Sequence, residues 1–192
     1  MNSQEVLDYI RDRMEDGRAR QYGEEPVSEY EHALQCATLA EQDGADDELV
    51  VAAFLHDFGR LIVDDDELSD SLQHDVDDSL QRKGHGEVGA GALKPFFSDR
   101  LLFCVGQHAE SKRYLCTTEP DYRDGLSAGS IATLEKQGGM MSASELTAFE
   151  SSPFVADAVR VRRWDDAGKM PGMRTKSLDH FIELTSKQLR DA

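Results

Sequence analysis

Apolar residues recur at helical spacing along most of this chain, and alternating strand patterns with hairpin turns are almost absent. Val6, Ile10 and Met14 mark one face of a helix over residues 4–14. A second helix is predicted over 29–42, where Ser28 and Glu31 can form a capping box and Gly44 marks the stop. The third, over 48–58, holds the run "LVVAAFL" and is expected to end at Gly59. Further helices are predicted over 85–93, stopped by Pro95, and over 100–109, capped by Ser98. Ser142 with Glu145 fits another capping box. Ser152–Pro153 opens a helix through Val155, Val159 and Trp164, and Ser177 begins a last one over 178–189. No repeat or linker divides the chain. The pattern predicts one all-α domain over residues 1–192, a length that permits a core of ordinary size.

Charge narrows the partners. The net charge of −17 opposes binding to nucleic acid or to an anionic membrane. No window approaches the ~20 apolar residues of a membrane span, and the first residues carry charges where a signal peptide needs an apolar core. Cys36, Cys104 and Cys116 share no close pair, which argues against a disulfide framework or a Cys-rich zinc site and fits a reducing cytoplasm. The acidic stretch 64–78 departs from EF-hand spacing and is read as a solvated surface loop; His74 within it is given no role.

The candidate chemistry lies in the histidines. His56 and Asp57 follow the most apolar run of the chain, about 100° apart on a helix, so both reach one side only near a helix end. A buried carboxylate is costly unless paired or bound to metal. His32 lies between Tyr30 and Leu34 on a core-facing helix. His85 opens a helix among small residues, His108 closes the helix "LLFCVGQHAE", and Asp165 ends the amphipathic segment "VRVRRWDDAGK". Four histidines and two aspartates so placed suit one or two first-row metals, because imidazole with carboxylate favours iron, manganese, cobalt or zinc over calcium.

His32, the His56–Asp57 pair and the distant Asp165 resemble the ligand pattern of the HD-domain superfamily, mostly phosphohydrolases on an all-α scaffold, with Asp57 bridging two metals. The segments "YGEEPVSEYEHALQCA", "FLHDFGR", "HGEVGA", "HAESKRYL", "TLEKQGGMM" and "RRWDDAGK" narrow the resemblance. Over about residues 22–169 the chain is similar to the HD-domain diiron oxygenases that cleave carbon–phosphorus bonds. That family includes 2-amino-1-hydroxyethylphosphonate dioxygenase and trimethylammonio-substrate enzymes, and is related to myo-inositol oxygenase.

The resemblance implies a mixed-valent Fe(II)/Fe(III) pair with O2 as co-substrate. One iron would be held by His32, His56, Asp57 and Asp165, the other by Asp57, His85 and His108. Tyr22 and Glu25 match a family tyrosine–glutamate pair whose glutamate occupies an iron position until substrate displaces it. Lys112, Ser130 and Thr133 would line a phosphonate pocket supported by Arg162, local cations and hydroxyls that a dianion needs in so acidic a protein. Where relatives carry a second histidine after His-Asp-x-Gly, this chain has Arg60, a candidate phosphonate clamp. The products would be phosphate with glycine or glycine betaine, as C2 bears an amino or a trimethylammonio group, and an upstream hydroxylase would supply the substrate. Tyr22, Tyr114 and Glu25 are candidates for a wall around the trimethylammonio group. The alternative is a metal-dependent phosphohydrolase acting on a nucleotide or small phosphoester; a non-catalytic HD module is disfavoured by the complete ligand set.

Overall fold

The computed structural model describes residues 1–62 and 84–190, so the acidic stretch 64–78, with His74, lies outside the described residues. Ten α-helices occur among the described residues: α1 Ser3–Asp16, α2 Glu29–Gln42, α3 Asp47–Leu55, α4 Phe58–Ile62, α5 His85–Leu93, α6 Asp99–Thr118, α7 Ala128–Lys136, α8 Ala143–Glu150, α9 Val155–Ala167 and α10 Leu178–Gln188. An isolated bridge between Gln21 and Ser28 is the sole β pairing among them. The all-α expectation holds.

Side-chain caps start the helices where the sequence places Ser, Asn or Asp. Ser28 with Glu31, and Ser142 with Glu145, close reciprocal capping boxes, and Asn2 with Glu5 makes a third that the apolar pattern had not signalled. Every residue of α3 from Leu49 to Leu55 is buried. This helix packs against α2, α6, α9 and α10, and Phe54 stacks on Phe181 of α10 with ring centroids 5.6 Å apart. Each large apolar side chain so buried contributes about 1.5–3 kcal/mol. The core therefore forms around the helix that leads into His56 and Asp57.

Three boundaries differ from the sequence reading. The third helix stops at Leu55; His56 and Asp57 form a turn, and the chain re-enters helix as α4. Gly59 sits inside α4 instead of ending a helix. Its missing side chain serves packing, since a Cβ there would meet the His85 carbonyl oxygen at 1.9 Å and the Gly89 nitrogen at 2.7 Å. Next, α6 runs to Thr118, which puts His108 in mid-helix and not at an end. Beyond His108, the polar residues Ser111, Lys112 and Arg113 are all buried. Third, α9 opens at Val155, just beyond Ser152–Pro153. Helix α7 was not predicted, because only Ser130 and Leu134 of its nine residues are buried and its apolar periodicity is weak.

Candidate metal centre

The turn between α3 and α4 delivers two adjacent side chains to one point. His56 Nδ1 donates to the Ala53 carbonyl (2.8 Å), which fixes the ring and turns Nε2 toward Asp57 Oδ2 at 3.2 Å. His32, on the buried face of α2, donates from Nδ1 to the Gly168 carbonyl (2.7 Å) and presents Nε2 to Asp57 Oδ2 at 3.5 Å and to Asp165 Oδ1 at 3.4 Å. On the other side, His85 opens α5 with Nε2 2.9 Å from Asp57 Oδ1. His108 donates from Nδ1 to the Val105 carbonyl (2.8 Å) and sets Nε2 3.4 Å from that same oxygen. Each oxygen of Asp57 thus faces its own pair of histidines.

The arrangement calls for positive charge. Both Asp57 oxygens are buried and accept no hydrogen bond, a state that is costly for an isolated carboxylate. The facing Nε2 atoms lie 3.1 Å apart in the His32–His56 pair and 2.9 Å apart in the His85–His108 pair. With Nδ1 of His32, His56 and His108 committed to carbonyls, neutral rings would turn lone pairs on one another. Burial acts to raise Asp57, but the surrounding imidazoles, His56 foremost, hold its carboxyl well below the usual range. Burial lowers His32, yet Cys36, Asp165 and Asp57 outweigh it and push the ring well above the usual imidazole value. A metal on each side of Asp57 would satisfy these charges and lone pairs together, with the carbonyls orienting the rings. The residues fit a metal site.

This cluster lies beside a cavity of about 270 Å³ whose wall includes His85, His108 and Asp165. Seven of the residues expected to meet substrate line it: Tyr22, Glu25, Arg60, Lys112, Ser130, Thr133 and Arg162. Tyr22 stacks on the His32 ring (3.8 Å between centroids) and its hydroxyl donates to Asp165 Oδ1 at 3.3 Å. Burial, with Asp165 and Asp57, raises that phenol well above its usual range, so it keeps its proton. Lys112 is 2 % exposed and donates from Nζ to Thr133 Oγ1 (2.7 Å) and to the Ser130 carbonyl (3.2 Å). Among the described residues it forms no ion pair. Burial, helped by the Arg162 charge, lowers its pKa to about 8, so at neutral pH it is a cation held ready for an anion.

The other cations of the wall are committed. Arg162 pairs with Asp165 (2.7 Å) and with Asp166, and its Nη2 reaches Ser130 Oγ at 3.4 Å. Arg60 places both Nε and Nη2 on Glu29 Oε1, at 2.8 and 2.6 Å. Arg113, beside Lys112 in the chain, turns away to Glu110 and Glu145. Tyr114, a candidate wall residue, reaches Glu150 and is absent from the cavity lining.

Four contributors escaped the sequence reading. Lys169 lies 3.6 Å from Asp165 Oδ1 and 3.4 Å from Ser130 Oγ; its spacing four residues after Asp165 was the available signal. Asp166 and Tyr122 hold Arg162 from behind, and Glu29 holds Arg60. Asp166 shares that four-residue spacing with Arg162, while no periodicity marks Tyr122 or Glu29.

The HD domain family model matches residues 30–146. The chain is 36 % identical over 189 residues to the [1-hydroxy-2-(trimethylamino)ethyl]phosphonate dioxygenase (glycine-betaine-forming) of Leisingera caerulea, covering 98 % of this chain and 93 % of that protein. It is 39 % identical over 158 residues to the hydroxymethylphosphonate dioxygenase of Gimesia maris, covering 82 % and 76 %. A helical scaffold that sets one aspartate between two histidine pairs, together with likeness of this extent, places the chain in the HD-domain family, on the branch of the phosphonate dioxygenases.

Proposed function

We propose that this protein is a diiron dioxygenase that cleaves the C–P bond of a 1-hydroxyphosphonate bearing an amino or trimethylammonio group at C2. The products are phosphate and glycine or glycine betaine. The observation that carries the reading is the Asp57 carboxylate, bare between two histidine pairs, at the wall of a cavity that also holds an unpaired, buried lysine.

One iron would be held by His32, His56, Asp57 and Asp165, and the second by Asp57, His85 and His108. The iron pair supplies the redox chemistry with O2, and the four electrons that reduce O2 come from the substrate as C1 reaches the carboxylate level. The chain's own residues do the rest. Lys112, oriented by Thr133 and the Ser130 carbonyl, binds the phosphonate; Ser130 Oγ, Thr133 and Arg162 complete the pocket. Tyr22 holds His32 by stacking and Asp165 by its hydroxyl proton. Glu25, on the cavity wall, would be an exchangeable ligand of the iron pair that substrate can replace.

Such a substrate is itself the product of a hydroxylation, so a hydroxylase acts upstream. The three buried, unpaired thiols fit the reducing cytoplasm, and among the described residues no helix is long and apolar enough to cross a membrane. The test is anaerobic loading with iron, then air and a panel of 1-hydroxyphosphonates that includes hydroxymethylphosphonate, with released phosphate as the readout. Phosphate that needs both iron and O2 is the expected result. Phosphate released from nucleotides without O2 would return the protein to the hydrolases.

A further inference from the structure

Two polar rungs join α2 to the turn at Asp57 and to α4. The upper rung is His32 with Asp57; the lower, one helical turn earlier on α2 and three residues later in the chain, is Glu29 with Arg60. Glu29 is 5 % exposed, and its Oε1 accepts from both Nε and Nη2 of Arg60. Arg60 is tied down at its backbone as well: its amide donates to the Asp57 carbonyl (2.9 Å), and its own carbonyl accepts from Arg20 Nη2 (2.8 Å). So fixed, the guanidinium lies over the Tyr22 ring at 4.8 Å, while Tyr22 stacks on His32. The order in space is Glu29, Arg60, Tyr22, His32.

We propose that Glu29 is a positioning residue: it holds Arg60 against Tyr22 and away from the anion, so Arg60 backs the Tyr22–His32 stack instead of clamping the phosphonate. The inference rests on the phosphonate-pocket reading above and refines it. Two of the guanidinium's donors and its charge are taken by Glu29, whereas Lys112 meets no carboxylate, so Lys112 is the charge partner of the incoming dianion. A planar cation over an aromatic face is a stable pairing. It fixes the tilt of a phenol whose hydroxyl must reach Asp165.

The deciding variant is the double substitution Glu29→Gln with Arg60→Met, which removes both charges at similar volume and leaves no buried carboxylate stranded. Inorganic phosphate binding to the metal-free protein is measured by calorimetry, and Tyr22 by NMR of ring-labelled tyrosine. The expected result is a phosphate Kd within about twofold of the unsubstituted protein, with Tyr22 ring signals displaced from their stacked positions and kcat reduced at least tenfold in the iron-loaded enzyme, KM little changed. The single variant Glu29→Gln frees Arg60 and is expected to tighten phosphate binding severalfold, an effect absent from the double variant. A tenfold loss of phosphate affinity in the double variant overturns the proposal, because Arg60 would then be a direct clamp. Unmoved Tyr22 signals also overturn it. If phosphate binds neither the unsubstituted protein nor any variant, the phosphonate-pocket reading fails, and the Tyr22 signals still decide the role of Glu29.

Discussion

A β-carbon on Gly59 would stand 1.9 Å from the carbonyl oxygen of His85. That closeness brings α5 onto α4 and lets His85 Nε2 reach within 2.9 Å of Asp57, two residues before the glycine. The neighbouring atoms are backbone, so no rotamer change relieves the clash. Gly59→Ala is therefore expected to push α5 outward, destabilise the fold by about 1–3 kcal/mol and, on the proposed two-metal reading, reduce metal content toward one ion per chain. Thermal melts with elemental analysis check this. Full metal content in a folded Gly59→Ala protein would show that α5 is positioned by something else.

Among the described residues, Asp57 is the one whose oxygens face both histidine pairs. In the proposed two-metal site, replacing it by alanine would remove a ligand from each metal at once, whereas replacing His85 would touch one side only. Asp57→Ala is expected to lose both irons, and His85→Ala to keep one. Near-normal iron in Asp57→Ala, by elemental analysis of the purified protein, would end the bridging assignment.

The candidate ligands stood out in the sequence because of where they sit: His56 follows Leu49–Leu55, and His32 lies among buried alanines and leucines. Their convergence was not legible. Gly59 looked like a stop because glycine punctuates helices, while in the fold it permits a close crossing that depends on His85, twenty-six residues later. His108 looked terminal because polar residues follow it, and only the tertiary structure shows Lys112 bonded to Ser130 and Thr133 and Arg113 to Glu145, while Ser111 turns back on the Gln107 carbonyl of its own helix. Lys169 stayed unseen for a related reason, since its role comes from its neighbours Asp165 and Ser130 and not from its own segment.

Glu25 sits on the cavity wall, on the turn that hydrogen-bonds back to the Tyr22 carbonyl through its own amide at 3.0 Å. Its oxygen lies 3.6 Å from where a Cβ would stand on Gly129, and among the described residues no side-chain hydrogen bond or ion pair holds its carboxylate. A carboxylate so placed is able to move. For Glu25→Ala the expected outcome is full iron content with faster oxidation by air in the absence of substrate, followed by visible and paramagnetic resonance spectra. A resting spectrum and oxidation rate equal to those of the unsubstituted enzyme would remove Glu25 from the ligand set.

Lys112 sets the pH dependence. Its ammonium is buried, and its pKa is lowered to about 8, first by burial and then by Arg162. Below pH 8 it is charged and, in the proposed pocket, would bind the phosphonate; as pH rises through about 8 the charge goes, so KM is expected to climb while Arg162 stays cationic. The same shift acts on stability with the opposite sense. Between about pH 8 and the ordinary lysine range near 10.4 the unfolded chain holds this proton and the folded one does not, so folding gains with rising pH. At pH 7 the buried charge therefore weakens the fold, and Lys112→Met is expected to raise Tm by about 3 °C for each kcal/mol of relieved burial. That variant should also raise KM by roughly tenfold or more through loss of a charge-assisted hydrogen bond. The Tm advantage should shrink between pH 8 and 10, and the KM penalty should shrink with it. A Lys112→Met protein that is less stable at pH 7, or whose KM deficit is constant from pH 7 to 10, would assign Lys112 to packing and leave the phosphonate without its charge partner.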